Sequence, residues 1–171
     1  MKNVLVIYAH PNQNNSKYNK YLIDGIRNMD NVEVSDLYFQ YPDYKIDIVK
    51  EQQLLLNSDV IILQFPYYWF NTTPLMKAYI DEVFTENFAY GKGNKLKNKS
   101  IMCSITTGGS LERYANDHGF DFSDLLKPFE RTASYCEMTY LPPFIVSDVY
   151  NLDDKELSSY IDKYRLLINE L

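Results

Sequence analysis

Cysteine is scarce in this chain of 171 residues: there are two, Cys103 and Cys136, with no C-x-x-C pair. That excludes a disulfide framework, and no His/Cys spacing matches a zinc site. The expectation is two buried or half-buried thiols in a reducing cytosol, and no bound metal. Only six glycines occur, and neither G-x-G-x-x-G nor G-x-x-x-x-G-K-[ST] is among their settings, so both standard glycine-rich phosphate fingerprints are missing. Long apolar runs are missing too. The N-terminal run in MKNVLVIYA stops at His10-Pro11 and has no small-residue cleavage site, so it is expected to be a strand rather than a signal peptide. No stretch approaches the roughly 18–20 apolar residues that cross a bilayer, and the expectation is a soluble, cytoplasmic protein. Positive charge is in deficit, with 17 Lys plus Arg against 23 Asp plus Glu and a formal net charge of −6. Such a chain is a poor partner for nucleic acid or an anionic membrane. A phosphate ligand stays possible, because a few local donors bind phosphate whatever the global charge.

Aromatic residues are abundant, with sixteen Tyr, nine Phe and one Trp. They imply either a heavily aromatic core or a site for a flat ring, and composition does not choose between the two. Short apolar runs alternate with stretches of helical period. Val4 to Ala9, Asp59 to Phe65 and Ser100 to Thr106 are continuous apolar runs, the pattern of strands covered on both faces. Asn31 to Ser35 alternates like a strand nearer the sheet edge, and another strand is expected near Tyr140 to Val146. Helices are expected after Ser16, from Ile46 to Asn57, from Pro74, from Phe122 to Cys136 and from Asp153-Asp154 almost to Leu171. Without repeat, low-complexity tract or linker, residues 1–171 are expected to form a single α/β domain. Five strand–helix units imply a three-layer, flavodoxin-like, doubly wound parallel sheet of order 2-1-3-4-5. Ligands in such sheets bind beyond the carboxyl ends of the strands, which selects three loops.

The first loop runs from His10 to Asn19. Its polar cluster at a helix N-terminus favours an anion, with a hydroxyl from Ser16, backbone amides from Lys17 and Tyr18 and a ring N–H from His10. Simple capping by Ser16, with His10 as a turn residue, accounts for the same residues equally well. The second loop, Phe65 to Pro74, carries Tyr67, Tyr68, Trp69 and Phe70 at the end of a buried strand. Exposed, they would form an apolar patch that monomers rarely tolerate, so they must cover a core, a partner subunit or a flat ligand. The third loop holds Thr107, Gly108 and Gly109, where paired glycines permit positive φ and close backbone approach to a ligand. Beyond them Tyr114 and His118, four apart, could share a helical turn and offset negative charge that builds on a reduced ring.

Together the motifs A-H-P…S-K-Y-N, F-P-Y-Y-W-F…P-L-M-K-A-Y-I-D-E-V-F and T-T-G-G…Y…H-G resemble the NAD(P)H:quinone oxidoreductase family of flavodoxin-like enzymes. FAYG (Phe88 to Gly91), LLKPFERTASYCEM (Leu125 to Met138) and YLPPF (Tyr140 to Phe144) resemble its short bacterial branch. That branch holds general stress NAD(P)H oxidoreductases and ancillary flavoproteins of glutathione-gated potassium efflux systems. The resemblance implies a non-covalent flavin, a homodimer with sites at the subunit interface, and ping-pong transfer of two electrons from NADH or NADPH to a quinone-like acceptor. It puts His10, Ser16, Lys17 and Tyr18 on the flavin phosphate loop and Pro66, Tyr67, Tyr68, Trp69 and Phe70 on the isoalloxazine loop. Thr107, Gly108 and Gly109 fall along the other edge of the ring, and Tyr114 with His118 on the catalytic pair. The Tyr-to-His interval is shorter than in the animal quinone reductases. The chain is also short for the extra segments that hold the adenosine of FAD, so FMN is expected, with FAD the alternative. Two alternatives stand beside it: a regulatory subunit of a cation-efflux transporter, and a flavodoxin-type electron carrier, whose usual short Ser/Thr/Gly-rich phosphate turn differs from His10-Pro11 and the longer polar loop here.

Overall fold

The computed structural model describes residues 1–12, 16–116 and 121–171. Strand β1 (Val4–Tyr8) is buried along its whole length, and its side chains divide by parity between two cores. Val4, Val6 and Tyr8 join Leu22, Ile23 and Ile26 of helix α1 (Lys17–Ile26) and Tyr164 and Ile168 of the C-terminal helix. Leu5 and Ile7 face the opposite core. The same split runs through β3 (Val60–Pro66) and β4 (Ser100–Thr106), as the two-residue period of a strand requires.

All pairings are parallel. The order is β2-β1-β3-β4-β5, with β2 at Val32–Asp36, as the sequence implies. The fifth position is broken into β5 (Thr139–Tyr140) and β6 (Phe144–Val146), each paired with β4. The continuous strand expected over Tyr140 to Val146 is interrupted because Pro142 and Pro143 have no N–H to donate. Strand β3 runs one residue further than expected, to Pro66.

Helix α2 (Leu37–Gln40) is one turn that follows β2 directly. Helix α3 (Ile48–Asn57) starts two residues later than its apolar pattern, because the Asp47 carboxylate caps it by accepting from Lys50 N at 3.0 Å. Helix α4 (Pro74–Val83) begins with proline at its first turn. Helix α5 (Leu111–Asn116) follows the Thr-Gly-Gly loop and carries Tyr114. Helices α6 (Phe122–Tyr135) and α7 (Asp154–Glu170) each open on a reciprocal capping box, Asp121 with Asp124 and Asp153 with Glu156. Helices α1 and α7 approach closely at Gly25, where a Cβ would lie 2.5 Å from Ile161 Cγ2. The aromatic surplus serves both uses that composition leaves open. Tyr79, Tyr164 and Phe65 are fully buried, whereas Trp69 and Tyr150 stand out in solvent.

Candidate active site at the carboxyl ends of the strands

The three loops converge where Tyr8, Pro66, Thr106 and Val146 end their strands. In the first loop His10 is buried at 5% exposure. Its Nδ1 lies 3.2 Å from Asn12 N–H and its Nε2 lies 3.5 Å from the Tyr68 hydroxyl, so the ring bridges the first loop to the second. Accepting at Nδ1 fits a neutral ring with its proton on Nε2, and burial pushes the imidazole below its ordinary value. Ser16 occupies the cap position of α1 but its side chain does not cap. Instead its hydroxyl lies 2.5 Å from the Tyr8 hydroxyl, below the surface. The simple capping role open to Ser16 is therefore not the one its side chain takes. Burial raises the Tyr8 phenol to about 12.

The Lys17 ammonium is directed away, 3.7 Å from Asp154 and 5.5 Å from the Tyr18 ring centroid. What α1 offers a ligand is its backbone: a helix leaves its first N–H groups free of internal partners, and no acidic residue sits in this first turn.

The second loop is a hairpin of two residues. Tyr68 and Asn71 exchange N–H···O bonds of 3.1 and 3.0 Å, and the residues between them, Trp69 and Phe70, have φ of 47° and 61°. Such turns normally take Asn-Gly, since a Cβ clashes with the backbone at positive φ and only Gly, or a short polar residue such as Asn, tolerates it readily. Two aromatic residues held there cost about 1–3 kcal/mol each in backbone strain. Their rings are turned outward, Trp69 being 93% and Phe70 58% exposed. Tyr67 braces the hairpin from below, its hydroxyl shared between Phe70 O at 2.9 Å and Leu125 O at 3.0 Å. Thr73 Oγ1 donates to Ala9 O at 3.3 Å and ties this loop to the first.

The third loop departs from expectation at its glycines. Neither Gly108 nor Gly109 has positive φ; among the described glycines it is Gly91 that does. Gly108 lies under the Tyr150 ring instead, and a Cβ there, 2.8 Å from Tyr150 Cε2, would oblige that exposed ring to shift. Tyr114 is half-buried on α5, edge-on to Phe70 at 6.1 Å and to Phe122 at 5.3 Å, so the structure does bring it to the aromatic hairpin. His118 lies outside the described residues.

Beneath the loops runs a buried hydrogen-bond chain. Tyr164 hydroxyl donates to Gln64 Oε1 (3.0 Å), Gln64 Nε2 to Asn19 O (3.1 Å), and Asn19 Nδ2 to Thr106 Oγ1 (2.6 Å). It fastens α7, β3, α1 and β4 together under the cleft. Sequence reasoning missed this chain although a signal exists. Asn19 falls on the buried face of α1 with Leu22, Ile23 and Ile26, and Gln64 interrupts a buried apolar strand. Tyr150 was missed as well, and no pattern marks it.

Burial raises Cys103 to about 12 and Cys136 to about 11, so both thiols stay protonated at neutral pH. A groove of about 980 Å³ lies along the β2 edge between Lys20, Arg27, Glu33 and Asn57, but it touches none of these loops. The loops suit a phosphorylated flat ring: an acid-free helix N-terminus for the phosphate, outward aromatic faces for the ring, and two buried polar atoms, the acceptor Asn19 Oδ1 and the Thr72 hydroxyl, with no partner among the described residues.

A doubly wound parallel sheet of this order, with its loops gathered at the carboxyl ends of the strands, defines the flavodoxin-like class. The family model described as flavodoxin-like fold matches residues 2–168. The chain belongs to this flavodoxin-like family. The glutathione-regulated potassium-efflux system ancillary protein KefF of Enterobacter sp. is 38% identical over 163 residues, covering 95% of this chain and 93% of that protein. The structure of general stress protein 14 from Treponema denticola in complex with FMN matches with a TM-score of 0.91, 36% identity and 98% of each chain. An NADPH-quinone reductase from P. pentosaceus matches with a TM-score of 0.86, 31% identity and 95% of each chain. The protein is an oxidoreductase.

Proposed function

We propose that this protein is a flavin-dependent NAD(P)H:quinone reductase that binds FMN non-covalently in the cleft between the three loops. The observation that carries the proposal is the strained hairpin that holds Trp69 and Phe70 outward beside an acid-free helix N-terminus. When bound, the flavin supplies the hydride chemistry that no side chain here could supply. The α1 backbone and Ser16 region take its phosphate, and the Tyr67–Phe70 segment walls its ring. The Thr107–Gly109 backbone lies along the ring's other edge. Tyr114, poised between Phe70 and Phe122, offers a phenolic proton to the site, donating a hydrogen bond where negative charge accumulates. His118 is assigned to the same role on the family motif. A second copy of the chain covers the exposed aromatic rings, making a homodimer that keeps water out of the cleft.

The test is direct: purified protein should carry FMN on extraction, lose its flavin colour with NADPH or NADH, and regain it with a quinone. Protein that binds no flavin, or whose bound flavin neither nucleotide reduces, would overturn the proposal. The relatives named as potassium-efflux ancillary proteins favour a second role, as a regulatory subunit of such a transporter. Co-purification with the transporter's soluble domain tests it.

A further inference from the structure

Tyr150 belongs to none of the three motif loops, yet it touches or approaches all of them. It sits in a 3-10 turn (Val149–Asn151) after β6, and its ring is 78% exposed. The segment carrying it is locked to the Thr-Gly-Gly loop by three backbone bonds: Thr107 N to Val146 O (3.0 Å), Asp148 N to Gly109 O (3.1 Å) and Val149 N to Thr107 O (3.1 Å). Asp148 is held at φ 54°, and its carboxylate accepts from Asn151 Nδ2 at 2.9 Å, which fixes the turn. From this base the ring lies on Gly108 and stands edge-on to Tyr18 of α1, with centroids 6.4 Å apart. Its phenol is also among the causes, after burial, that raise the Tyr68 phenol, so it lies within electrostatic reach of the aromatic hairpin.

A large apolar ring left in solvent while its backbone is tied down so firmly is placed for something other than the core. We infer that Tyr150 is a further wall of the ligand cleft, standing in the gap between the α1 N-terminus and the Thr-Gly-Gly loop where it would contact a bound flavin. This rests on the flavin reading above. It also explains the glycine at position 108, which makes room for the ring. Any larger residue must push Tyr150 aside, so positions 108 and 150 act as one unit. The contact is made by the ring face and does not depend on the hydroxyl.

The experiment titrates FMN into flavin-stripped wild-type protein and into Tyr150→Phe, Tyr150→Ala, Gly108→Ala and the Gly108→Ala/Tyr150→Ala double variant, with melting curves of each flavin-free protein. Tyr150→Ala should weaken FMN binding about tenfold, the scale of one lost aromatic contact. Tyr150→Phe should stay within about twofold. Gly108→Ala should resemble Tyr150→Ala, and the double variant should be no worse than either. Flavin-free melting temperatures of the Tyr150 variants should match wild type, since the ring is outside the core. Unchanged FMN affinity in Tyr150→Ala, or additive losses in the double variant, would overturn the inference. Absence of FMN binding by the wild-type protein would instead overturn the flavin reading itself.

Discussion

Asn19 shows how much one side chain can hold together at the residue scale. Its amide spans from α1 to the Thr106 hydroxyl at the end of β4, and its backbone oxygen takes the Gln64 amide. Asn19→Ala removes the first bond and leaves a buried hydroxyl unpaired, which should cost about 1–3 kcal/mol in denaturant unfolding. The same variant should bind FMN less tightly, because the first turn of α1 loses its anchor to the Thr-Gly-Gly loop. His10 makes a second residue-scale case, in pH. Its folded value lies below its ordinary value of 6.5, so its contribution to stability is complete above pH 6.5 and is lost as pH falls through the lower, folded value. Melting temperature should therefore fall on acidification below pH 6.5, and His10→Gln should flatten part of that slope. Both residues were visible in sequence, one as a polar residue on an apolar helix face and one in the A-H-P motif. Their bonding partners were not, because Gln64, Thr106 and Tyr68 lie dozens of residues away and only the fold joins them.

Among the elements, the Tyr68–Asn71 hairpin concentrates the site's strain. Replacing Trp69 by Asn and Phe70 by Gly installs residues suited to positive φ, and should raise the stability of flavin-free protein by about 2 kcal/mol or more. FMN affinity and quinone reduction should fall in the same variant. A gain in stability with no loss of binding would mean that the aromatic rings do not face the ligand. The identity and order of most regular elements were legible, since β1, β3 and β4 are nearly unbroken apolar runs and α4 and α7 open on Pro74 and Asp153. The sequence did not disclose the hairpin's backbone, because nothing in Tyr-Tyr-Trp-Phe suggests a turn that normally takes Asn-Gly. Helix α5 was hidden for a simpler reason: six residues are too few for a helical period to show. The break in the fifth strand was written plainly at Pro142-Pro143.

Over the whole molecule, two properties invite measurement. Trp69 is the sole tryptophan and it projects from the cleft, so intrinsic tryptophan fluorescence reports on the site alone. The flavin-free monomer should emit like a solvated indole. Dimerisation should shift the emission to the blue, FMN should quench it, and Trp69→Asp should sediment as a monomer. Alkaline behaviour follows from buried phenol and thiol groups. Tyr8 is raised from 10.0 to about 12 and Cys103 from 9.0 to about 12. Groups raised on folding stabilise fully below their unfolded values and lose that contribution as pH rises through the folded ones. Unfolding should therefore set in between pH 9 and about 12, and buried phenols should ionise together with the loss of structure rather than before it.

The paired prolines at 142 and 143 carry one more consequence. A parallel sheet of this kind ends in a strand whose outer side could recruit another chain, residue by residue, into an ever-growing ribbon. Here that border holds two ladder residues, Thr139 and Tyr140, then a gap in which Pro142 and Pro143 have no amide protons, then three more from Phe144 to Val146. No incoming strand can find a continuous row of donors along it. This border therefore offers an incoming strand no continuous template, and replacing both prolines should remove that safeguard, read as faster aggregation of the variant on heating.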